Sequence, residues 1–112
     1  MVIKQEEKNG ILALAIAGRL DAVSSVEADK EFNKVLDAGK DKLLINLKEL
    51  EYISSAGLRV LLVVAKRMQQ KGGKVCLCSL AENVKEVFEI SGFSSIFKIF
   101  EKETDGIGFI NA

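Results

Sequence analysis

Short apolar runs alternate with longer amphipathic stretches, and this alternation sets the fold class before any single residue is weighed. Lys42-Leu43-Leu44-Ile45-Asn46-Leu47 and Val75-Cys76-Leu77-Cys78 are too brief for helices and lack polar alternation, which is the pattern of strands buried on both faces. Around them apolar residues recur at helical spacing. Ala28, Phe32, Val35 and Leu36 form one stripe, residues 58–70 an almost wholly apolar helix through Ala65, and Val84, Val87 and Phe88 a third. Strands separated by helices become parallel neighbours, because only a crossover long enough for a helix can join them. No proline punctuates the chain. Gly39 suits a left-handed helix cap, and Gly72-Gly73 and Gly92 close the two later helices.

The N-terminal part reads differently. Residues 2–7 form an edge strand, Asn9-Gly10 a tight hairpin turn that needs positive φ, and residues 11–17 a second strand. In that strand Leu12, Leu14 and Ile16 face one side and Ala13, Ala15 and Ala17 the other. Ser24-Ser25-Val26-Glu27 and Ser79-Leu80-Ala81-Glu82 have the capping-box pattern and are expected to open helices. Residues 96–100 read as a last strand, and residues 104–112 as a short helix weakened by Gly106 and Gly108. The expected order is β-β-α-β-α-β-α-β-(α), one α/β domain over residues 1–112. Its mixed, mainly parallel sheet should have about four to five strands, with helices chiefly on the Leu12/Leu14/Ile16 face.

Composition closes several function classes. Sixteen Lys plus Arg are balanced by sixteen Asp plus Glu, scattered along the chain, so no basic surface invites nucleic acid directly. The longest apolar run, residues 60–65, is far too short for membrane insertion, and the N-terminus has no secretory pattern, so a cytoplasmic location is expected. The chain has no histidine, which removes Ser-His-Asp and Cys-His arrangements and His-ligated metals. Cys76 and Cys78, two apart on a strand, share a face and read as small buried hydrophobes rather than metal ligands. No G-x-S-x-G elbow, S-x-x-K pair or phosphate-binding G-x-x-x-x-G-K-[ST] loop is present. No catalytic residue, metal or cofactor is expected.

The segment Glu49-Leu50-Glu51-Tyr52-Ile53-Ser54-Ser55-Ala56-Gly57-Leu58-Arg59-Val60-Leu61-Leu62 joins the third strand to the apolar helix and sets two serines at the helix start. Taken alone, such serines are caps for free backbone N–H groups. Asp21 reads either as a local turn or cap residue ahead of the first helix or as part of a surface shared with Ser55. Arg59 either meets a partner or only solvates its helix.

The wider stretch Tyr52-Ile53-Ser54-Ser55-Ala56-Gly57-Leu58 resembles the signature of STAS-domain anti-sigma factor antagonists, aromatic-apolar-Asp-Ser-Ser/Thr-Gly/Ala-Leu. Gly18-Arg19-Leu20-Asp21 resembles the family's Gly-x-Leu-Asp turn, Gly72-Gly73-Lys74-Val75 its glycine turn, and residues 84–93 its Val-x-x-x-Phe-x-x-Ser-Gly-Phe/Leu segment. The resemblance implies a single STAS domain. It implies that Ser55 is phosphorylated by a partner anti-sigma factor that is a serine kinase, with Ser54 as the alternative acceptor. Arg19, Asp21, Ser54, Ser55, Ala56, Gly57 and Arg59 would then form the partner-binding surface. Two positions depart from the family pattern: Ser54 replaces its Asp, and Ala56 its second Ser/Thr.

The expectation from the resemblance is a non-enzymatic switch that binds the kinase when unphosphorylated and so frees a sigma factor. Phosphorylation would turn it off and a serine phosphatase would reset it. The alternative is a STAS-type scaffold or transporter-associated subunit without phospho-switching. A serine-nucleophile enzyme finds no supporting motif.

Overall fold

The computed structural model describes residues 1–112. Strands β1 (Val2–Lys8) and β2 (Ile11–Leu20) form an antiparallel hairpin, with Asn9 and Gly10 at φ 53° and 78° as the tight turn requires. Helix α1 (Ser24–Asp37) leads to β3 (Lys42–Asn46), then come β4 (Leu50–Ile53), α2 (Ser55–Gln70), β5 (Lys74–Cys78) and α3 (Glu82–Ser91). A single 3-10 turn (Phe93–Ser95), β6 (Ile99–Phe100) and α4 (Glu103–Ile110) complete the chain.

The main sheet runs β1-β2-β3-β5-β6, parallel except for β1. This is the expected mixed, mainly parallel sheet, with one strand more than the sequence suggested. The addition is β4, which pairs in parallel with the far end of β2. The last strand is shorter than expected, because residues 93–95 turn and only Ile99 and Phe100 pair with β5.

Period-two alternation sorts the sheet's side chains into two cores. Leu12, Leu14, Ile16, Leu43, Ile45 and Leu77 face α1, α2 and α3 in a large cluster that includes Phe32, Leu61, Met68 and Phe88. Burying each such side chain is worth about 1.5–3 kcal/mol. On the other face Ile11, Ala13, Leu44, Cys76 and Cys78 make a smaller cluster roofed by Ile110 of α4. The two cysteines therefore share a face as small buried apolar groups, and burial pushes the Cys76 thiol up to about 12. Gly106, an apparent flaw in α4, is what allows this roof to sit down: a Cβ there would lie 2.7 Å from Leu44 Cδ1 and 3.0 Å from Cys76 Sγ.

Neither expected capping box forms where the sequence placed it. At α1 the box lies three residues earlier. Asp21 Oδ1 accepts from the Ser24 N–H (3.1 Å), Ser24 Oγ accepts from the Asp21 N–H (2.9 Å), and the Asp21 carbonyl accepts from the Ser25 N–H (2.8 Å). Asp21 is thus the functional cap, Ser24 its reciprocal partner, and Glu27 is not needed. At α3 the helix starts from Ala81 without a side-chain cap. Ser79 instead adopts φ 62° and gives its hydroxyl to the Glu101 carbonyl.

Candidate functional site

Strand β4 organises one end of the sheet. Of its four residues Leu50 and Ile53, at the two ends, are buried, while Glu51 and Tyr52 between them are exposed. Beyond Ala15 the end of β2 leaves β3 and pairs with β4, the register shifting between Gly18 and Arg19. Gly18 makes the transition at φ +94°, a conformation that favours glycine. As a result the junction from β2 to α1 and the junction from β4 to α2 lie side by side, joined by a hydrogen bond from the Ser54 N–H to the Leu20 carbonyl at 2.9 Å. Gly57 makes that closeness possible, because a Cβ on it would lie 2.7 Å from the Leu20 carbonyl oxygen and 2.9 Å from Ile53 Cγ1.

The two serines divide the work. Ser54 is the N-cap of α2: it has extended backbone, its Oγ accepts from the Gly57 N–H at 3.3 Å, and its carbonyl accepts from the Leu58 N–H at 2.9 Å. Ser54 is half-buried, whereas Ser55 is the first helical residue and exposed. No hydrogen bond within the chain engages the Ser55 hydroxyl, and the first turn of α2 carries no acidic residue. A helix N-terminus with a free hydroxyl in solvent is an electropositive position that can take added negative charge without displacing a structural bond.

Across the junction Asp21 is locked. Its carboxylate accepts from the Val23 and Ser24 N–H groups at 3.1 Å each, and the Ser24 bond leads in holding its pKa below the ordinary carboxylate value, with Arg19 adding to the effect. The local reading of Asp21 as a cap is therefore its observed role, and its position beside β4 also puts it on the same surface as Ser55. Arg19 lies in register with Tyr52, its guanidinium 4.3 Å from the ring centroid and its Nε 4.0 Å from Asp21 Oδ2. Ala56 is half-buried and Gly57 buried, while Arg59, one turn beyond Ser55, is exposed and makes no ion pair or hydrogen bond. All seven residues singled out in the sequence thus fall around one sheet end and the first turns of α2.

Sequence reasoning missed three contributors. Tyr52 supplies the platform for Arg19, and Asn83 of α3 donates to the Glu51 carbonyl at 2.8 Å, pinning β4 from the other side. A shallow groove between the first turns of α1 and α2 is lined by Ala22, Val26, Ala56, Arg59, Val60 and Val63. Val23 and Val26 are 84% and 59% exposed. Both stand off the stripe made by Ala28, Phe32, Val35 and Leu36, which was the signal available in the sequence.

No cluster of Cys, Asp and Glu is arranged to hold a metal ion, and no helix is long and apolar enough to cross a membrane.

The geometry is that of a small α/β domain displaying a hydroxyl at a helix start. Comparison with known proteins supplies the family. The STAS domain family model matches residues 2–106. BtrV of Bordetella bronchiseptica, described as a candidate anti-sigma factor antagonist, is 39% identical over 99 residues, covering 88% of this chain and 85% of BtrV. The anti-sigma-B factor antagonist of Bacillus subtilis is 30% identical over 105 residues, 94% of each chain. The Bacillus protein SpoIIAA, an anti-sigma factor antagonist, superposes in its unphosphorylated form with a TM-score of 0.84 at 16% identity, covering 98% of this chain and 96% of that one. Its phosphorylated form gives 0.74 at 15% identity over 97% and 99%. The chain belongs to the STAS-domain family of anti-sigma factor antagonists.

Proposed function

We propose that this chain binds an anti-sigma factor serine kinase through the surface around Ser55 while that serine is unmodified, releasing the sigma factor the kinase would otherwise hold. Phosphorylation of Ser55 ends the interaction. The observation that carries this reading is the contrast between the serines: Ser54 is spent on the helix cap, and Ser55 presents an unengaged hydroxyl to solvent. The replacement of the family's Asp by Ser54 is mild on this view, since serine and aspartate cap helices about equally well.

In the transfer, Ser55 Oγ attacks the γ-phosphorus of ATP, the bond to the β-phosphate oxygen breaks, ADP leaves, and the hydroxyl proton passes to a base on the kinase. The product carries about −1.5 to −2 charge at pH 7. Glu49 and Glu51 lie in the segment leading into α2 and Asp21 at the adjoining β2–α1 junction, so a partner docked against this end of the sheet has to cover added negative charge beside existing carboxylates. A penalty of roughly 3 kcal/mol weakens binding about a hundredfold. A serine phosphatase restores the hydroxyl by hydrolysis, and the use of ATP places the cycle in the cytoplasm.

The test is binding of purified variants to the anti-sigma factor kinases of the same genome. Ser55→Ala should bind as the unmodified chain does and resist ATP-dependent release, and Ser55→Asp should bind about a hundredfold more weakly. Equal binding of both variants overturns the proposal. Phosphate mapped to Ser54 alone moves the acceptor.

A further inference from the structure

Arg59 is a cation in an unfavourable place. It sits in the first two turns of α2, where the helix dipole disfavours positive charge, and no carboxylate of the chain pairs with it. It lies four residues beyond Ser55, so the two side chains rise from the same helix face, with Val63 next along that stripe. The other nearby cation, Arg19, is already occupied by the Tyr52 ring and Asp21. We infer that Arg59 is the internal counter-ion of phosphorylated Ser55, swinging onto the phosphate once it is added. This rests on the assignment of Ser55 as the acceptor.

The physics favours the pair on three counts. An acidic group four residues before a basic one is the better orientation for an ion pair on a helix. A guanidinium can meet two phosphate oxygens at once through paired N–H donors. The phosphate also satisfies the free N–H groups at the helix start, so its gain does not depend on Arg59 alone. The charged groups on the elements around the position are Asp21 and Arg19 at the β2–α1 junction, Asp29 of α1, which lines the groove with Arg59, and Glu49 and Glu51 in the segment leading into α2. Of these, Arg19 alone could compete for the phosphate. In the unmodified chain Arg59 instead borders the groove with Val26 and Val63, so its departure changes the surface a partner reads as well as its charge.

The test needs no kinase. Phosphoserine is installed at position 55 during translation, and the second phosphate ionisation is followed by phosphorus NMR. The phosphate should titrate below free phosphoserine, and Arg59→Gln should raise its apparent pKa by roughly half a unit, in line with a helix ion pair. Arg59→Lys should restore part of the shift, and high salt should shrink it. An unchanged titration in Arg59→Gln, or a larger shift in Arg19→Gln, overturns the inference. If the native kinase modifies Ser54 instead while the installed phosphate still answers to Arg59, the acceptor assignment fails and the pairing chemistry stands.

Discussion

Adjacent serines with different hydrogen bonding make a direct test of residue-level roles. Ser54→Ala removes the acceptor for the Gly57 N–H and should cost about 1 kcal/mol in urea unfolding, while Ser54→Asp should cost little. Ser55→Ala removes no bond and should stay within about 0.5 kcal/mol of the parent. If Ser55→Ala proves the costlier change, the division between cap and displayed hydroxyl is wrong. Gly57 offers a second test, because here local propensity and packing oppose each other. Alanine in a helix interior gains up to about 1 kcal/mol over glycine. At this position its Cβ would press on backbone, the Leu20 carbonyl oxygen 2.7 Å away, which cannot yield without pushing the two junctions apart. Overpacking of this kind costs about 1–3 kcal/mol, so Gly57→Ala should destabilise on balance, with amide shifts at Leu20 and Ile53 in NMR. A stabilised variant would show that the junctions can part freely.

Helix α4 roofs the smaller core with Ile110 and is also held by a polar clasp. Glu103 at its start receives the Lys8 ammonium at 2.7 Å and the Asn46 amide at 2.8 Å, tying the helix to β1 and β3. The Lys8 bond, then Asn46, holds the Glu103 pKa below 4.5, and Glu103 in turn holds Lys8 above 10.5. A carboxylate with a lowered folded value stabilises above its unfolded value and loses that contribution as pH falls through the folded one. The lysine contribution is complete below its unfolded value and is lost as pH rises through its folded value. The clasp is therefore intact between about 4.5 and 10.5, and α4 amides such as Ile107 should lose hydrogen-exchange protection at acid pH before those of β3. Glu103→Gln should show the same loss at neutral pH; equal protection of α4 and β3 in acid would refute the clasp. Elements with a clear period were legible from the chain: β3 and β5 as apolar runs, α1 to α3 as stripes, the hairpin from Asn9-Gly10. Strand β4 was not, because four residues with two outward polar positions look like a loop until β2 supplies its partner. The α1 cap was misplaced because serine suits both ends of a capping box, and only the observed bonds show Asp21 as the first member. The site residues were found through motif resemblance. That Ser54 is tied and Ser55 free depends on one backbone turn, which sequence does not reveal.

At the scale of the whole molecule, the candidate switch sits on a scaffold with little room to move. Arg67 of α2 reaches Asn33 and Asp37 of α1 at 2.7 and 2.8 Å, stitching the far ends of the two helices, while their near ends beside Ser55 are braced through Asp21, Leu20 and Gly57. A phosphate on a hydroxyl that holds nothing together breaks no bond in this frame. On the proposed function, regulation through Ser55 acts by charge at the surface rather than by a change of fold, since the modified hydroxyl braces neither helix. Two results follow for the Ser55-phosphorylated chain. Its amide shifts should be confined to residues near 19–26 and 52–60, leaving α3, α4 and β5 unmoved, and its thermal midpoint should change by no more than a few degrees. The loss of kinase affinity should shrink as salt rises from about 0.05 to 0.5 M, because exposed charges are screened within about 10 Å at 0.1 M ionic strength. Calorimetric titration at the two salt concentrations checks the second result. Amide shifts spreading into α4, with a salt-independent affinity loss, would mean that the phosphate rearranges the domain instead of recharging one end of it.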